Sequence, residues 1–219
     1  MRIIQMKRIL IALTLLVMTF AAMPLFAVER DIQGKLGTGY SSDPAKFGLD
    51  LNFQYNWVLD PYFAIGLDSG LYWIRWDRKI GTKDSGGVDV DVKADSNVYM
   101  LPILADAQVR LPVLKDYIFV TPYATIGMGY SFMLLTFSQP DFEDSVSGKN
   151  YDKERIYKFF SGLTWQIIGG AGYQFKNSKV EFFAEAGYRN AKLKSGDLEL
   201  DMSGLVIRIG AKYPLGVKS

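Results

Sequence analysis

The stretch from Phe47 to Trp57 reads FGLDLNFQYNW, and its character alternates without a fault over eleven residues. The odd positions are apolar or aromatic, and the even positions are glycine or polar. Successive side chains of a β-strand point to opposite faces, so the pattern predicts a strand with one apolar face and one polar face. The fold depends on whether the apolar face points inward to a core or outward to lipid.

The length of this stretch indicates that the apolar face points outward. Strands of soluble proteins are typically about 5–6 residues long. At ~3.3 Å per residue this strand spans roughly 33 Å, and a tilt of about 40° reduces its height to about 25 Å. That height matches the apolar band of an outer-membrane barrel, in which the apolar side chains contact lipid.

Seven further segments alternate in the same way. The eight predicted strands cover residues 32–40, 47–57, 62–76, about 97–111, 117–133, about 160–175, 180–190 and about 202–215. Connections after strands two, four and six are short, whereas those after strands three, five and seven are long and cover 77–96, 134–159 and 191–201. This asymmetry predicts an all-β, eight-stranded antiparallel up-and-down transmembrane β-barrel with short periplasmic turns and longer extracellular loops.

The polar face of these strands carries glycines and charged side chains, which suit a narrow barrel interior. Glycine has low β-propensity and is scarce on a solvated strand face, but it fits where barrel walls are crowded. We predict a lumen charge network of Asp50, Asp68, Asp106, Arg110, Glu181, Glu185, Arg189, Arg208 and Lys212. Strands seven and eight are antiparallel, and one register sets Glu185 beside Arg208 and also Glu181 beside Lys212.

Aromatic residues lie near the predicted strand ends, as in the interfacial girdles of membrane barrels. They include Tyr40, Tyr55, Trp57, Trp73, Tyr99, Tyr130, Trp165, Tyr173 and Tyr213. The stretches Thr121–Tyr130, Phe183–Arg189 and Ser203–Leu205 then carry a resemblance to small eight-stranded outer-membrane barrels of the OmpA/OmpX type. The chain also resembles OmpW-type barrels. We therefore expect outer-membrane lipids, lipopolysaccharide-type lipids and the outer-membrane assembly machinery as partners.

The N-terminal residues predict export from the cytoplasm. The charged sequence MRIIQMKR precedes an apolar run from Ile9 to about Met23, and Pro24–Ala27 follows. These are the parts of a secretory signal peptide, and a retained membrane anchor is the alternative. We divide the chain into a signal peptide, residues 1–27, and an outer-membrane β-barrel domain, residues 28–219, located in the cell outer membrane.

The composition narrows the functional classes. The net charge is +2, and loss of Arg2, Lys7 and Arg8 with the signal peptide leaves −1, so no basic footprint for nucleic acid remains. The chain has no cysteine and no histidine. Hydrolases and acyl-transfer enzymes of this barrel class resemble one another in using histidine as a general base. We expect no enzymatic activity, no catalytic or metal site and no cofactor.

Two functions stay open. The first is a structural or surface-interaction (adhesin-like) role, in which extracellular loops on a rigid scaffold bind a ligand. The candidate ligand-binding loop residues are Asp141, Phe142, Glu143, Asp144, Lys153 and Arg155. The alternative is a narrow or laterally gated channel for small solutes or small hydrophobic molecules, with an apolar vestibule lined by Tyr72, Ile74, Val98, Met100 and Ile168. An eight-stranded interior is just wide enough to be filled by side chains, which favours the first role.

Overall fold

Long antiparallel strands account for most of the protein. The computed structural model describes residues 29–85 and 89–216. The predicted signal peptide lies outside the described residues. Within them, no helix is long and apolar enough to cross a membrane.

Eleven strands are present in the described ranges, and eight of them form the barrel wall. The bounds are β1 (Glu29–Ser41), β2 (Lys46–Val58), β3 (Phe63–Asp84), β4 (Asp89–Arg110), β5 (Thr121–Gln139), β6 (Phe142–Glu143), β7 (Asn150–Tyr151), β8 (Glu154–Gln174), β9 (Glu181–Ser195), β10 (Leu198–Asp201) and β11 (Gly204–Leu215). A 3-10 turn (Pro112–Leu114) and a helical turn (Lys115–Ile118) connect β4 to β5.

The strands pair in a ring of eight in the order β1, β2, β3, β4, β5, β8, β9 and β11, and β11 pairs with β1. All of these pairings are antiparallel. Strand β10 continues the wall beside β9, and β6 and β7 form a separate two-stranded hairpin. The predicted eight-stranded up-and-down barrel is therefore confirmed.

The strands are longer at the extracellular end than the sequence predicts. The segments 77–96, 134–159 and 191–201, which we expected to be loops, are largely strand. In the first, β3 continues to Asp84 and β4 begins at Asp89. The other two contain the extracellular ends of β5, β8 and β9 together with the short strands β6, β7 and β10. Beyond the membrane both faces of a hairpin are solvated. The alternation of hydrophobicity therefore disappears although the hydrogen-bond ladder continues.

The predicted start of the fifth strand at Tyr117 is wrong. Tyr117 lies in the helical turn, and Phe119 has φ 62°, a left-handed conformation that a strand does not contain. Regular pairing of β5 begins only at Thr121. The aromatic residues of this turn mimic the composition of a strand, which explains the error.

The barrel is polar inside and apolar outside. On β2, Leu51 is 40% exposed on the outer wall, whereas its neighbour Asp50 is fully buried in the lumen. Aromatic pairs mark both ends of the wall: Trp73 stacks on Tyr99 with ring centroids 6.5 Å apart, and Tyr55 packs edge-on against Trp57 at 4.9 Å. The outer surface therefore matches lipid, and the lumen is the site of the polar chemistry.

Candidate functional site: the barrel lumen and the outer hairpins

Arg208 on β11 lies at the centre of the lumen charges. Its Nε donates to Asp50 Oδ1 at 2.7 Å, and its Nη1 donates to Glu185 Oε1 at 3.2 Å. Arg189 Nη1 donates to the other oxygen of Asp50 at 3.0 Å. All four side chains are essentially inaccessible to solvent. The two guanidinium groups therefore link β2, β9 and β11 across the interior.

Lys35 on β1 joins this group, although sequence reasoning did not single it out. Its Nζ lies 3.3 Å from Asp68 Oδ2 and 3.3 Å from Glu185 Oε1. Tyr123 OH donates to Glu185 Oε2 at 2.9 Å. The sequence did indicate that Lys35 faces the lumen, because Lys35 alternates with the outward-facing Leu36 on the same strand. Its partners depend on closure of the ring beside β1, which no single strand encodes.

The periplasmic end of the lumen holds two further ion pairs. Arg110 Nη2 donates to Asp31 Oδ2 at 2.8 Å, and Lys212 Nζ lies 2.8 Å from Glu181 Oε2. Both side chains of the second pair are 15% exposed, so this pair is more accessible to solvent than the central group. Asp31 was also missed by sequence reasoning.

The predicted register of the last two barrel strands is confirmed. Strand β11 pairs with β9 such that Arg208 opposes Glu185 and Lys212 opposes Glu181. Two ion pairs thus form in one register, and a shift of two residues would separate both.

Apolar side chains fill the lumen above the charges. We call this group the plug, and it comprises Tyr72, Ile74, Val98, Met100, Met133, Phe160, Ala191, Leu193 and Met202. Its members are at most 1% exposed, so the first four, expected to line an open vestibule, are packed instead. Ile168 is equally buried nearby on β8. The guanidinium carbon of Arg189 lies 4.2 Å from the ring centroid of Tyr72, at the boundary between charges and plug.

A cavity of about 300 Å³ lies at the extracellular side of the plug. Its lining residues are Asp43, Pro44, Trp76, Val98, Leu135, Leu200 and Met202. The wall is therefore mostly apolar, with one acidic side chain contributed by the turn between β1 and β2.

Two of the candidate loop residues are used by the protein's own structure. Phe142 is 4% exposed and stacks on Tyr151 with ring centroids 4.8 Å apart. Asp144 accepts hydrogen bonds from the amide of Thr82 at 2.8 Å and from the amide of Ser147 at 3.1 Å. The hydrogen bond from Thr82 fastens the β6–β7 hairpin to the tip of β3, whereas Ser147 and Tyr151 belong to the hairpin itself.

The hydrogen bonds that Asp144 accepts lower its pKa to about 2, with the hydroxyl of Ser147 as the largest cause and the amide of Thr82 next. Asp141, Glu143, Lys153 and Arg155 are exposed on the same extracellular segment. The described residues contain no group of three or more acidic, histidine or cysteine side chains arranged to hold a metal ion.

The ring of eight antiparallel strands, the apolar outer wall and the filled lumen define a small transmembrane β-barrel of the bacterial outer-membrane type. The chain belongs to the outer membrane protein beta-barrel domain family, whose model matches residues 12–214. No curated protein matches the sequence.

Three solved structures illustrate the resemblance. Neisserial surface protein A is 13% identical, with 84% of this chain and 95% of that chain covered and a TM-score of 0.49. A major outer membrane protein from Thermus thermophilus is 14% identical, with 85% and 99% covered and a TM-score of 0.47. Ail, the attachment invasion locus protein of Yersinia pestis, in complex with the heparin analogue sucrose octasulfate, is 15% identical, with 85% and 97% covered and a TM-score of 0.43.

Proposed function

We propose that this protein is a non-enzymatic outer-membrane barrel that holds rigid hairpins at the cell surface, with a structural or surface-interaction (adhesin-like) role. The observation that carries this proposal is the filled interior. Buried ion pairs occupy the lower and middle lumen, and the plug closes the upper lumen. A barrel built in this way is suited to presenting its extracellular end rather than to passing solutes.

The extracellular hairpins support the proposed role. Strands β3 and β4 contain 22 residues each, whereas β2 contains 13. Their continuous ladder holds the hairpin tip well outside the apolar band. The β6–β7 hairpin is fastened to this tip through Asp144, so neighbouring loops share one platform. Binding residues usually lie on loops that a rigid scaffold positions.

Conductance of the purified protein in planar bilayers tests the filled interior. We expect no stable conductance above the bilayer background, because the side chains of the plug are packed together and at most 1% exposed. A double variant, Phe160→Ala with Met100→Ala, serves as the positive control, since it removes two large plug residues. Steady conductance of the unaltered protein would contradict the proposal, as would swelling of liposomes in small sugars.

Adhesion of cells that display the protein tests the surface role. We expect replacement of Asp141, Glu143, Lys153 and Arg155 by serine to lower adhesion to immobilised glycans or matrix proteins. The control carries Asp116→Ser and Lys176→Ser on the periplasmic side, which removes one acid and one base and, like the test variant with two of each, leaves the net charge unchanged. If both variants and cells that lack the protein adhere equally, the loops have no binding role and the proposed structural role remains.

The cavity at the extracellular mouth favours a second candidate function, the capture of a small apolar molecule. Leu135 lines this cavity, whereas its neighbour Leu134 lies on the outer wall. Leu135→Trp should fill the cavity and weaken binding of the nonpolar fluorophore 1-N-phenylnaphthylamine. Leu134→Trp is the matched control. Equal binding by both variants would place the fluorophore in the lipid and remove this candidate.

We further propose that export removes residues 1–27 and that residues 28–219 form the mature barrel domain. Lipopolysaccharide-type lipids would surround its outer wall, and the outer-membrane assembly machinery would insert it. N-terminal sequencing of protein extracted from outer membranes tests this proposal. A first residue near Val28 supports it, and an intact Met1 would contradict it.

A further inference from the structure

The described lumen below the plug contains more acids than bases. The acids that face inward and are not solvent-exposed are Asp31, Asp50, Asp68, Asp106, Glu181 and Glu185. The corresponding bases are Lys35, Arg110, Arg189, Arg208 and Lys212. When all of these groups are ionised, one negative charge has no partner.

That charge belongs to Asp106. Every other lumen acid lies within 3.3 Å of a basic nitrogen, but Asp106 forms no ion pair among the described residues. It is 4% exposed, and neither carboxylate oxygen has a well-formed hydrogen bond in the described part of the chain. Gln166 lies beside it, but a neutral amide cannot balance its charge. Burying an ionised carboxylate without a partner is costly, so either a bound cation or a proton must neutralise Asp106.

The residues flanking Asp106 leave room on the inner wall. In the sheet Asp106 lies between Gly66 on β3 and Gly127 on β5. A methyl group at Gly127 would come within 2.1 Å of Asp106 Oδ1. The glycine therefore lets the carboxylate lie over the neighbouring strand instead of projecting towards a base.

Further unpaired oxygens lie on the adjacent strands. Gln33, Gln54 and Asp68 oppose one another across β1, β2 and β3, and Asp106 is diagonal to Asp68. Gln33 Oε1, Gln54 Oε1 and Asp68 Oδ1 are buried without a hydrogen-bond partner in the described ranges. The amide nitrogens of the two glutamines are used elsewhere: Gln54 donates to Asn56 at 2.9 Å, and Gln33 donates to Asp31 at 3.3 Å.

We propose that the lumen binds one small monovalent cation of the Na⁺ class at the unpaired carboxylate of Asp106, with the unpaired oxygen of Asp68 on the adjacent strand as a second ligand. Carboxylate and amide oxygens are the donors that hard cations prefer. A single positive charge balances the lumen, whereas a divalent ion would leave an excess positive charge in the interior.

Thermal unfolding of the purified full-length barrel in lipid nanodiscs tests this site. The midpoint is measured in increasing NaCl, with choline chloride keeping the ionic strength constant, because choline is too large for the lumen. A ligand that binds only the folded state raises the midpoint with the logarithm of its concentration above the dissociation constant, here by about 3–6 °C at ten times that constant.

Asp106→Asn should abolish the response to sodium and leave the midpoint in choline at least as high as that of the wild type. Asp91→Asn is the control, since Asp91 lies on the same strand but is exposed and pairs with Lys79 at 2.6 Å. The control should retain the full response. Equal midpoints of the wild type in sodium and choline would overturn the proposal, because the missing charge would then be a proton. A response to CaCl₂ but not to NaCl would also overturn the monovalent assignment.

Soaking crystals in thallium(I) acetate gives a second measurement that does not depend on a variant. Anomalous scattering should locate one thallium ion in contact with Asp106. Thallium at surface carboxylates but not in the lumen would contradict the proposal.

Discussion

Leu51 tests the orientation of the barrel wall at the scale of one residue. Leu51→Arg places a charge on the lipid face, and we expect it to lower the free energy of unfolding by about 2–4 kcal/mol. Asn52→Ser, one position along on the lumen face, should cost far less. Leu198→Arg is the matched control on an extracellular strand and should cost about 0.5 kcal/mol or less. Urea titration in lipid vesicles measures all three, and equal costs at 51 and 198 would contradict the orientation.

Arg208 tests the central charges. Arg208→Met leaves Asp50 and Glu185 with only their second partners, Arg189 and Lys35, so we expect a loss of about 3 kcal/mol or more in the same titration. Adding Glu185→Gln should recover only part of the loss, because Asp50 also loses Arg208.

A double-mutant cycle separates this coupling from general damage. We expect a coupling energy of about 1 kcal/mol or more between Arg208 and Glu185. Glu181→Gln is the control partner, and its effect should add to that of Arg208→Met within about 0.5 kcal/mol, because Glu181 pairs with Lys212 instead. A coupling near zero between Arg208 and Glu185 would refute the arrangement.

Asp144 makes the docked hairpin sensitive to acid. Its pKa is lowered to about 2 by hydrogen bonds from Ser147 within the hairpin and from Thr82 on β3, so ionisation stabilises the hairpin and, through Thr82, its docking. The stabilisation is complete above the ordinary pKa of an aspartate, about 3.9, and is lost as the pH falls through about 2. The NMR shift of the Thr82 amide should titrate in this range and should not titrate in Asp144→Asn. A midpoint near pH 4 would show that the carboxylate is not engaged.

The positions of individual residues were predictable where they depend only on alternation along a strand and on pairing with the next barrel strand in the chain. Glu185 and Arg208 were placed correctly, because alternation fixes the face and antiparallel pairing fixes a constant sum of residue numbers. The contacts of Lys35 and the second partner of Arg208 were not predictable, because they form across the closed lumen. The packing of Phe142 on Tyr151 joins two short strands that carry no periodic signal.

At the scale of the strand, inward-facing glycines permit close pairing. A methyl group added to Gly129 on β5 would come within 2.0 Å of the carbonyl oxygen of Ile103 on β4. We had expected crowding across the lumen, whereas this contact is between adjacent strands. The glycine therefore shapes the wall itself.

Gly129→Ala should destabilise the barrel by about 1–3 kcal/mol, because the backbone of β4 has to move. Gly169→Ala on β8 is the matched control, since a methyl group there meets no atom within 4 Å. It should be neutral or stabilise by about 0.5 kcal/mol. Urea titration in vesicles compares the two variants, and equal effects would contradict the close pairing.

Strand ends were less predictable than strand existence. The core of β2 was predicted within a residue or two, because lipid on one face and a filled lumen on the other impose alternation. The extracellular halves of β3 and β4 were missed, because water lies on both faces there. Hydrogen bonds between backbone groups maintain those halves without a pattern in the side chains.

At the scale of the whole molecule, the central claim is that the barrel is apolar outside and polar inside. This arrangement combines the exposed apolar wall with the buried ion pairs, and the apolar plug fills only the lumen above those charges. It also explains why the sequence predicted the fold well and the function poorly. The membrane constrains every strand, whereas a binding site would constrain only a few residues.

Spin-label accessibility along β2 tests this claim most directly. The chain contains no cysteine, so single cysteines can be introduced at each position from 47 to 57 without removing a native one. In lipid vesicles, labels at odd positions should be accessible to dissolved oxygen, and labels at even positions should be shielded, with a period of two residues throughout. The orientation of the barrel wall would be contradicted if labels at odd positions were shielded while labels at even positions were accessible to oxygen or to an aqueous nickel reagent.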